Sequence, residues 1–468
     1  MDLGGTREAG SLRAHGDVAK ESVAMRRVAK AFGVTTLAVV IFVVGGIGLL
    51  RRVHREPPPA PHPAGLALSS RPVIEAGSLS KVIANLQERL RSVPLDWRSY
   101  ADLGLAYVQQ ARVTADPSYY PKAEAVFRRS LKLNGAGNLN ALTGMGALAA
   151  ARHDFSGALS WGLKATSVNP DSAEAYAVVA DAQVELGRYE DAFHTSQTMI
   201  DLRPELSTYA RVSYGWELQG NASNATRAME LALHAAATPT DAAWASNQLG
   251  DLYWNRGRIA DAEGWYRWAF MADPSFVPPH AGLARVEAAR GQVDMAIRDL
   301  TWVVDRYPSP EYVIALGDLY SVTGREAEAA HQYALVHAEE RLLRAGGVNV
   351  DLEIALFDAD HGFDLANGLA AARKEWTRRR SIHVGDALAW ELHANGHHGE
   401  ALRCANLALR LGTRNALFFF HRGMIERALG KQRAARRDLA VALEINPNFS
   451  ILWSERAGQV LNSLGGAP

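Results

Sequence analysis

The chain has 468 residues, of which 48% are hydrophobic and 21% charged, and its 50 basic and 50 acidic side chains leave a formal net charge of zero. That balance excludes a strongly basic nucleic-acid footprint, although a local patch remains compatible with it. The single cysteine, Cys404, excludes an intrachain disulfide and a multi-cysteine metal centre, and 468 residues exceed what one hydrophobic core usually organises.

Residues 1–30 are polar and read as a flexible tail. Residues 31–50, AFGVTTLAVVIFVVGGIGLL, carry no charge. Twenty residues at ~1.5 Å each span the ~30 Å hydrocarbon core of a bilayer. A cleaved signal peptide would place small residues just beyond a shorter apolar run, but Arg51 and Arg52 stand there. The stretch therefore predicts one transmembrane helix. Arg13, Lys20, Arg26, Arg27 and Lys30 precede it, and Arg51, Arg52 and Arg55 follow it. The excess on the N-terminal side predicts that the rest of the chain lies outside the cytoplasm. Residues 51–77 are rich in proline and predict a semi-rigid linker. From about Ser78, a possible N-cap, Val82, Ile83, Leu86 and Leu90 form the stripe of an amphipathic helix.

A repeated pattern then takes over. Around NQLGDLYWNRGRIADAEGWYRWAFMADP, Gly250, Ala262 and Pro274 are spaced by twelve and again by twelve. The same spacing recurs at Gly146, Ala158 and Pro170, at Ala180, Ala192 and Pro204, at Ala284, Ala296 and Pro308, and at Gly423, Ala435 and Pro447. Short side chains at such positions let two helices cross closely. Tyr253 and Tyr266 fill the space beside one crossing. The pattern predicts helix pairs from Trp97 onward, regular through residue 344, with a long turn at Val113 to Pro121 that carries Tyr119 and Tyr120. The phase is lost after Tyr333, and residues 345–468 read as degenerate and then regular repeats closed by a cap helix from Phe449 to Leu464. Roughly ten repeats result.

These residues resemble the tetratricopeptide repeat family, whose period is ~34 residues and whose unit is a helix–turn–helix. The resemblance is to a membrane-anchored, bacterial type. It implies an all-α, right-handed superhelix, in which each repeat packs on its neighbours. It further implies that the first helix of each repeat lines a concave groove for a partner peptide or helix. By position the groove candidates are Glu174, Asp181, Glu185, Tyr214, Glu217, Trp244, Asn247, Asp251, Trp254, Asn255, Arg285 and Asp318, with Arg98, Asn140, Trp390 and His393 beside them. Chaperone-binding members hold a carboxylate with a Lys and Asn clamp. Here Ala101, Leu105, Thr143, Ala147, Ala177 and Asp181 stand at the paired positions, so that clamp is not expected.

No phosphate-binding glycine loop, nucleophile elbow or H-E-x-x-H occurs, and the repeats leave no room for a catalytic domain of ordinary size. The expectation is a non-catalytic, membrane-tethered scaffold or assembly factor for a protein partner, without cofactor, nucleic acid or small-molecule substrate. A cytoplasmic-facing adaptor is the topological alternative. The chemical alternative is a metal-dependent hydrolase using Asp358, Asp360 and His361, since two carboxylates and an imidazole can hold a divalent ion. The same DADHG run also reads as a helix-ending turn with Gly362 at positive φ. His397-His398 reads as a solvated turn.

Overall fold

The computed structural model describes residues 76–467. The tail at 1–30, the uncharged stretch at 31–50 and all but the last two residues of the 51–77 linker lie outside the described residues. Among the described residues no helix is long and apolar enough to cross a membrane, and there is no strand.

Helix α1 (Ala76–Ser92) stands alone, and ten helical hairpins follow. They are α2 (Trp97–Thr114) with α3 (Tyr119–Leu133), α4 (Leu139–Ala151) with α5 (Phe155–Val168), and α6 (Ala173–Glu185) with α7 (Tyr189–Leu202). Next come α8 (Leu206–Leu218) with α9 (Ala222–His234), α10 (Pro239–Trp254) with α11 (Ile259–Ala272), and α12 (Pro278–Ala289) with α13 (Val293–Arg306). The last four are α14 (Pro310–Val322) with α15 (Glu326–Ala345), α16 (Asp351–His361) with α17 (Leu365–Arg378), α18 (Ile382–Ala394) with α19 (His398–Ala408), and α20 (Ala416–Ala428) with α21 (Gln432–Ile445). Helix α22 (Ser454–Ser463) closes the array.

Local chemistry starts these helices. The side chains of Asn138, Asp154, Ser172, Asn221 and Thr238 each accept a hydrogen bond from the backbone N–H three residues on. Each cap satisfies one donor that the first turn would otherwise leave open. Packing then depends on size. The second helix of nearly every hairpin carries an alanine of at most 1% exposure at its crossing: Ala123, Ala158, Ala192, Ala225, Ala262, Ala296, Ala329, Ala401 and Ala435. At some crossings an aromatic ring fills what the alanine leaves, and at others Val178 or Leu439 does so. Tyr266 of α11 lies against Gly250 of α10 and Gly282 of α12, where an added Cβ would stand 2.4 and 2.7 Å from the ring. Phe127 of α3 sits in the same way between Gly104 and Gly144, at 2.4 and 2.3 Å. Leucine at Gly250 or Ala262 should therefore overpack the crossing and cost ~1–3 kcal/mol. Thermal melts of both variants check this, and unchanged midpoints would refute the register.

The hairpins coil, and the coil touches itself. Asn349 N donates to Arg152 O at 3.0 Å, and Arg380 N donates to Leu186 O at 3.3 Å. Ile382 N donates to the Tyr189 hydroxyl at 2.7 Å, Thr413 Oγ1 donates to Leu218 O, and Asn446 Nδ2 donates to Trp254 O at 2.8 Å. The Tyr307 hydroxyl donates to Arg112 O at 3.3 Å. The side-chain bonds among these join residues 192 to 195 apart, roughly six repeats of ~34 residues. One coil is thus complete in about six repeats, and the loops between later hairpins rest on the turns within earlier ones. We call this line of contacts the seam. At its centre Arg379 lies between Glu185 of the first coil and Glu375 of its own helix, with all three side chains buried.

Several local expectations change. Ser78 lies inside α1 and is not its N-cap. The long turn at Val113 to Pro121 shrinks to four residues, because α2 runs on to Thr114 and α3 begins at Tyr119. The extra chain length became helix, with Tyr120 fully buried and the Tyr119 ring tilted against Tyr107 at 5.8 Å. The closing helix starts at Ser454, five residues later than its apolar pattern, because Phe449 and Trp453 pack as loop residues against Phe420. The out-of-phase hairpin α16–α17 keeps the crossing register with Gly368 where the others have alanine. A Cβ at Gly368 would stand 2.1 Å from Glu391 Oε1 of the next repeat, so alanine there requires the Glu391 carboxylate to move.

Candidate functional site

The first helices of the hairpins carry a run of polar side chains that are solvent-accessible yet hemmed in by protein. Most are paired one repeat ahead. Asp181 of α6 accepts from Arg211 of α8 through both oxygens, at 2.7 and 2.5 Å. Glu174 accepts from Arg203 at 2.6 Å. Asp251 of α10 accepts from Arg285 of α12 at 2.6 Å, from the Tyr266 hydroxyl at 2.8 Å and from Asn247 at 3.0 Å. Among the described residues Glu217 of α8 accepts only from Asn255, at 2.9 Å. Asp318 of α14 accepts from Tyr333 at 3.0 Å and is bonded to His361 Nε2 at 2.9 Å. Glu185 pairs across the seam with Arg379. Tyr214 is bonded to His383 Nε2, also across the coil, at 3.0 Å.

Burial sets the electrostatics of this face. It raises the Asp181 carboxyl above the usual range despite the Arg211 guanidinium. It raises Glu217 against the Asn255 hydrogen bond, with Asp251 adding to the shift. Glu311 of α14 is exposed, yet desolvation by the surrounding protein still raises its carboxyl, which Arg285 opposes in part. Burial pushes the Tyr214 hydroxyl well up and the His383 imidazole down, so the histidine is neutral. Burial also works against the Arg285 guanidinium, but Tyr266, Asp251 and Glu311 hold it charged. Ions in such a confined space are screened less than on an open surface.

The cations change the meaning of the candidates. Arg203, Arg211, Arg285 and Arg379 neutralise Glu174, Asp181, Asp251 and Glu185. Glu217 and Glu311 form no ion pair among the described residues. The net character of the inner face is therefore two carboxylates, not a continuous acidic strip. The tryptophans serve packing. Trp254 is 7% exposed in a cluster with Ala262, Tyr266 and Val286, and Trp244 packs against the cluster of Ala210 and Leu249. Trp390 is buried, with His393 and His421 stacked on it at 5.1 and 4.2 Å. Arg98 stacks on Trp97, and Asn140 is exposed.

Paired helices, short residues at each crossing and first helices facing inward decide the architecture. The array is a tetratricopeptide-like repeat solenoid. No protein-family model matches the chain, and no curated protein does. Solved structures that resemble it include a human IFIT1 dimer with PPP-AAAA, at 16% identity over 68% of this chain and 73% of that one, TM-score 0.44. The APC/C hetero-tetramer Cut9-Hcn1 has 16% identity over 84% of this chain and 82% of that one, TM-score 0.38. A tetratricopeptide repeat protein from Parabacteroides merdae has 15% identity over 56% of this chain and 99% of that one, TM-score 0.32. The likeness is one of fold.

The solenoid separates the residues of the hydrolase reading. Asp360 accepts from Trp390 Nε1 and Trp453 Nε1, both at 2.8 Å. His361 uses Nε2 on Asp318 and Nδ1 on Phe357 O, at 2.9 and 2.8 Å. Asp358 is buried with Oδ1 unpartnered. The three side chains point to different neighbours, since successive positions on a helix are ~100° apart. Among the described residues no group of three or more His, Cys, Asp or Glu side chains is arranged to hold a metal. Of the turn pair, His397 is exposed while His398 packs 4.8 Å from His393. Cys404 is half-buried on α19, and burial raises its thiol.

Buried acids give the solenoid a pH dependence. Burial pushes Glu391 up to about 8, helped by Asp358, and Glu339 up to about 9. Both are 2% exposed or less. Above the ordinary glutamate range, up to those values, the folded state binds protons that the unfolded chain releases. The contribution of these two groups is then fullest below the ordinary glutamate pKa and falls as pH rises toward 8–9. Glu391→Gln should raise the denaturation midpoint at pH 8 and leave it nearly unchanged at pH 5, as read by denaturant melts at both values.

Proposed function

We propose that this chain is a non-catalytic docking scaffold, held at a membrane by residues 31–50, whose inner face takes a basic segment of a protein partner as an extended peptide or helix. The observation that carries this reading is the pair Glu217 and Glu311. Glu217 is half-buried and Glu311 is exposed, the protein around them raises both carboxyls, and neither forms an ion pair among the described residues. A lysine or arginine brought in by a partner would relieve both. A hydrogen bond to a charged group is worth about 1.5–3 kcal/mol. The double variant Glu217→Gln, Glu311→Gln should therefore lose at least tenfold in partner affinity, with the fold intact. The check is co-purification from native membranes at two salt concentrations. Undiminished recovery with the variant, at equal thermal stability, would refute the role of these carboxylates.

The sign of the inner face also argues against a phosphate backbone as ligand, which needs clustered lysine and arginine free to pair. The twenty uncharged residues before the array motivate the membrane tether, and the excess of basic residues on their N-terminal side motivates an array outside the cytoplasm. An alkaline phosphatase fusion after Pro468 should be active. An inactive but stable fusion would reverse the topology and leave a cytoplasmic adaptor.

A further inference from the structure

The seam uses only half of the surfaces that could form it. Turns within the early hairpins receive the loops between later hairpins. At Gly187, Gly220 and Gly257 the loop backbone comes within 2.3, 2.4 and 3.1 Å of where a Cβ would be. The turns of the later hairpins contain Gly291, Gly324, Gly362, Gly396 and Gly430 in the same conformation, with φ between 71 and 79°. Nothing lies within 4 Å of a Cβ at any of these five. Among the described residues no further coil covers them. They form an upper rim.

The apolar residues beside the turns follow the same division. Leu218, two before Gly220, is 2% exposed under the seam, whereas Val322, two before Gly324, is 52% exposed. Leu186, one before Gly187, is half-buried and packs on the cluster around Phe155 and Val179. Leu429, one before Gly430, is 37% exposed. Phe363 beside Gly362 is 39% exposed.

The opposite, lower rim consists of the loops between early hairpins, and it resembles the loops that do dock. In the docked loop, Asn446 Oδ1 accepts from Asn448 N at 2.8 Å, which frees Nδ2 to donate across the seam to Trp254 O. In the lower rim, Asn169 is also followed by proline, and its Oδ1 accepts from Asp171 N at 3.0 Å. Its Nδ2 makes no hydrogen bond among the described residues. Val93, Leu95 and Val168 stand exposed on the same rim at 45, 69 and 38%.

From this we propose that the upper rim is a docking surface for the lower rim of a second copy of this chain, so that the coil continues from molecule to molecule. The argument is continuity with the seam: the same glycine turns and the same Asn-Pro loop recur, uncovered, at opposite ends of the coil. The contact is heterologous, since two different rims meet. Such a contact adds copies without closing unless the rotation happens to form a ring. Because it uses the rims, it is independent of what the inner face binds.

The test is sedimentation of the full chain in mild detergent over a range of concentrations. The unmodified chain should gain mass with concentration and pass beyond two copies. Leu95→Glu with Val168→Glu blocks the lower rim, and Val322→Glu with Leu429→Glu blocks the upper. Each variant alone should sediment as a single chain. An equimolar mixture should form one-to-one pairs and stop there, because each copy keeps one working rim. All four positions are exposed, so unchanged melting temperatures verify the fold. Three results would overturn the proposal. The first is an unmodified chain that stays a single copy throughout, as it would if residues 1–75 covered the lower rim. The second is variants that assemble like the parent. The third is a mixture that forms no pairs.

Discussion

Replacing Arg379 by methionine should destabilise the solenoid by about 3–5 kcal/mol, the cost of leaving a buried carboxylate without its cation. Arg379 pairs with Glu185 across the seam and with Glu375 on its own helix, and the three side chains are at most 7% exposed. Its guanidinium also lies 4.8 Å over the Phe155 ring. Removing it strands the buried Glu185, while Glu375 keeps Arg378 at 3.4 Å and the Asn349 amide at 2.7 Å. Replacing Glu185 and Glu375 by leucine in the same variant should recover much of the loss, because an apolar cluster of similar volume avoids the desolvation cost altogether. Denaturant midpoints of the single and triple variants measure both effects. A loss below about 1 kcal/mol for Arg379→Met would mean that these charges are solvated and the seam is open.

The second large effect separates conformational strain from close contact. Gly187 and Gly324 have nearly the same backbone, with φ of 76 and 73°. Alanine at either pays for the left-handed conformation, ~1–2 kcal/mol. At Gly187 the new Cβ would also meet Arg380 O at 2.3 Å, whereas at Gly324 it meets nothing. Gly187→Ala should therefore cost ~1–3 kcal/mol more than Gly324→Ala. Equal losses in parallel denaturant titrations would contradict the contact between coils.

The repeat architecture was legible because its rules are short-range. Two helices in one hairpin can cross only over small residues, so Gly250 and Ala262 announce the crossing twelve positions apart. Nothing comparable announces the seam. Arg379 and Glu185 are 194 residues apart, and their meeting depends on how many repeats complete one coil, which summed small rotations decide. The cations of the inner face lay between these cases. Arg203, Arg211 and Arg285 sit 29, 30 and 34 residues after Glu174, Asp181 and Asp251. A search for opposite charges one repeat apart would have found them. The carboxylates among the groove candidates are thereby largely neutralised. The α16–α17 hairpin falls out of phase because α15 runs for 20 residues, to Ala345, before the next hairpin begins, and Gly368 stands where the other crossings have alanine. Trp244 and Trp254 matched groove positions, yet large rings gain more by filling the space between repeats.

The most direct test of the inner face as the docking surface is site-specific photocrosslinking of the full chain in its native cells. A photoreactive phenylalanine analogue at Tyr214 reports the inner face, and the same analogue at Trp268, 42% exposed on α11, reports the outside. The expected result is a discrete protein adduct from position 214 that disappears with Glu217→Gln and Glu311→Gln, and none from position 268. An adduct from position 268 alone, or one from position 214 that ignores both substitutions, would contradict it.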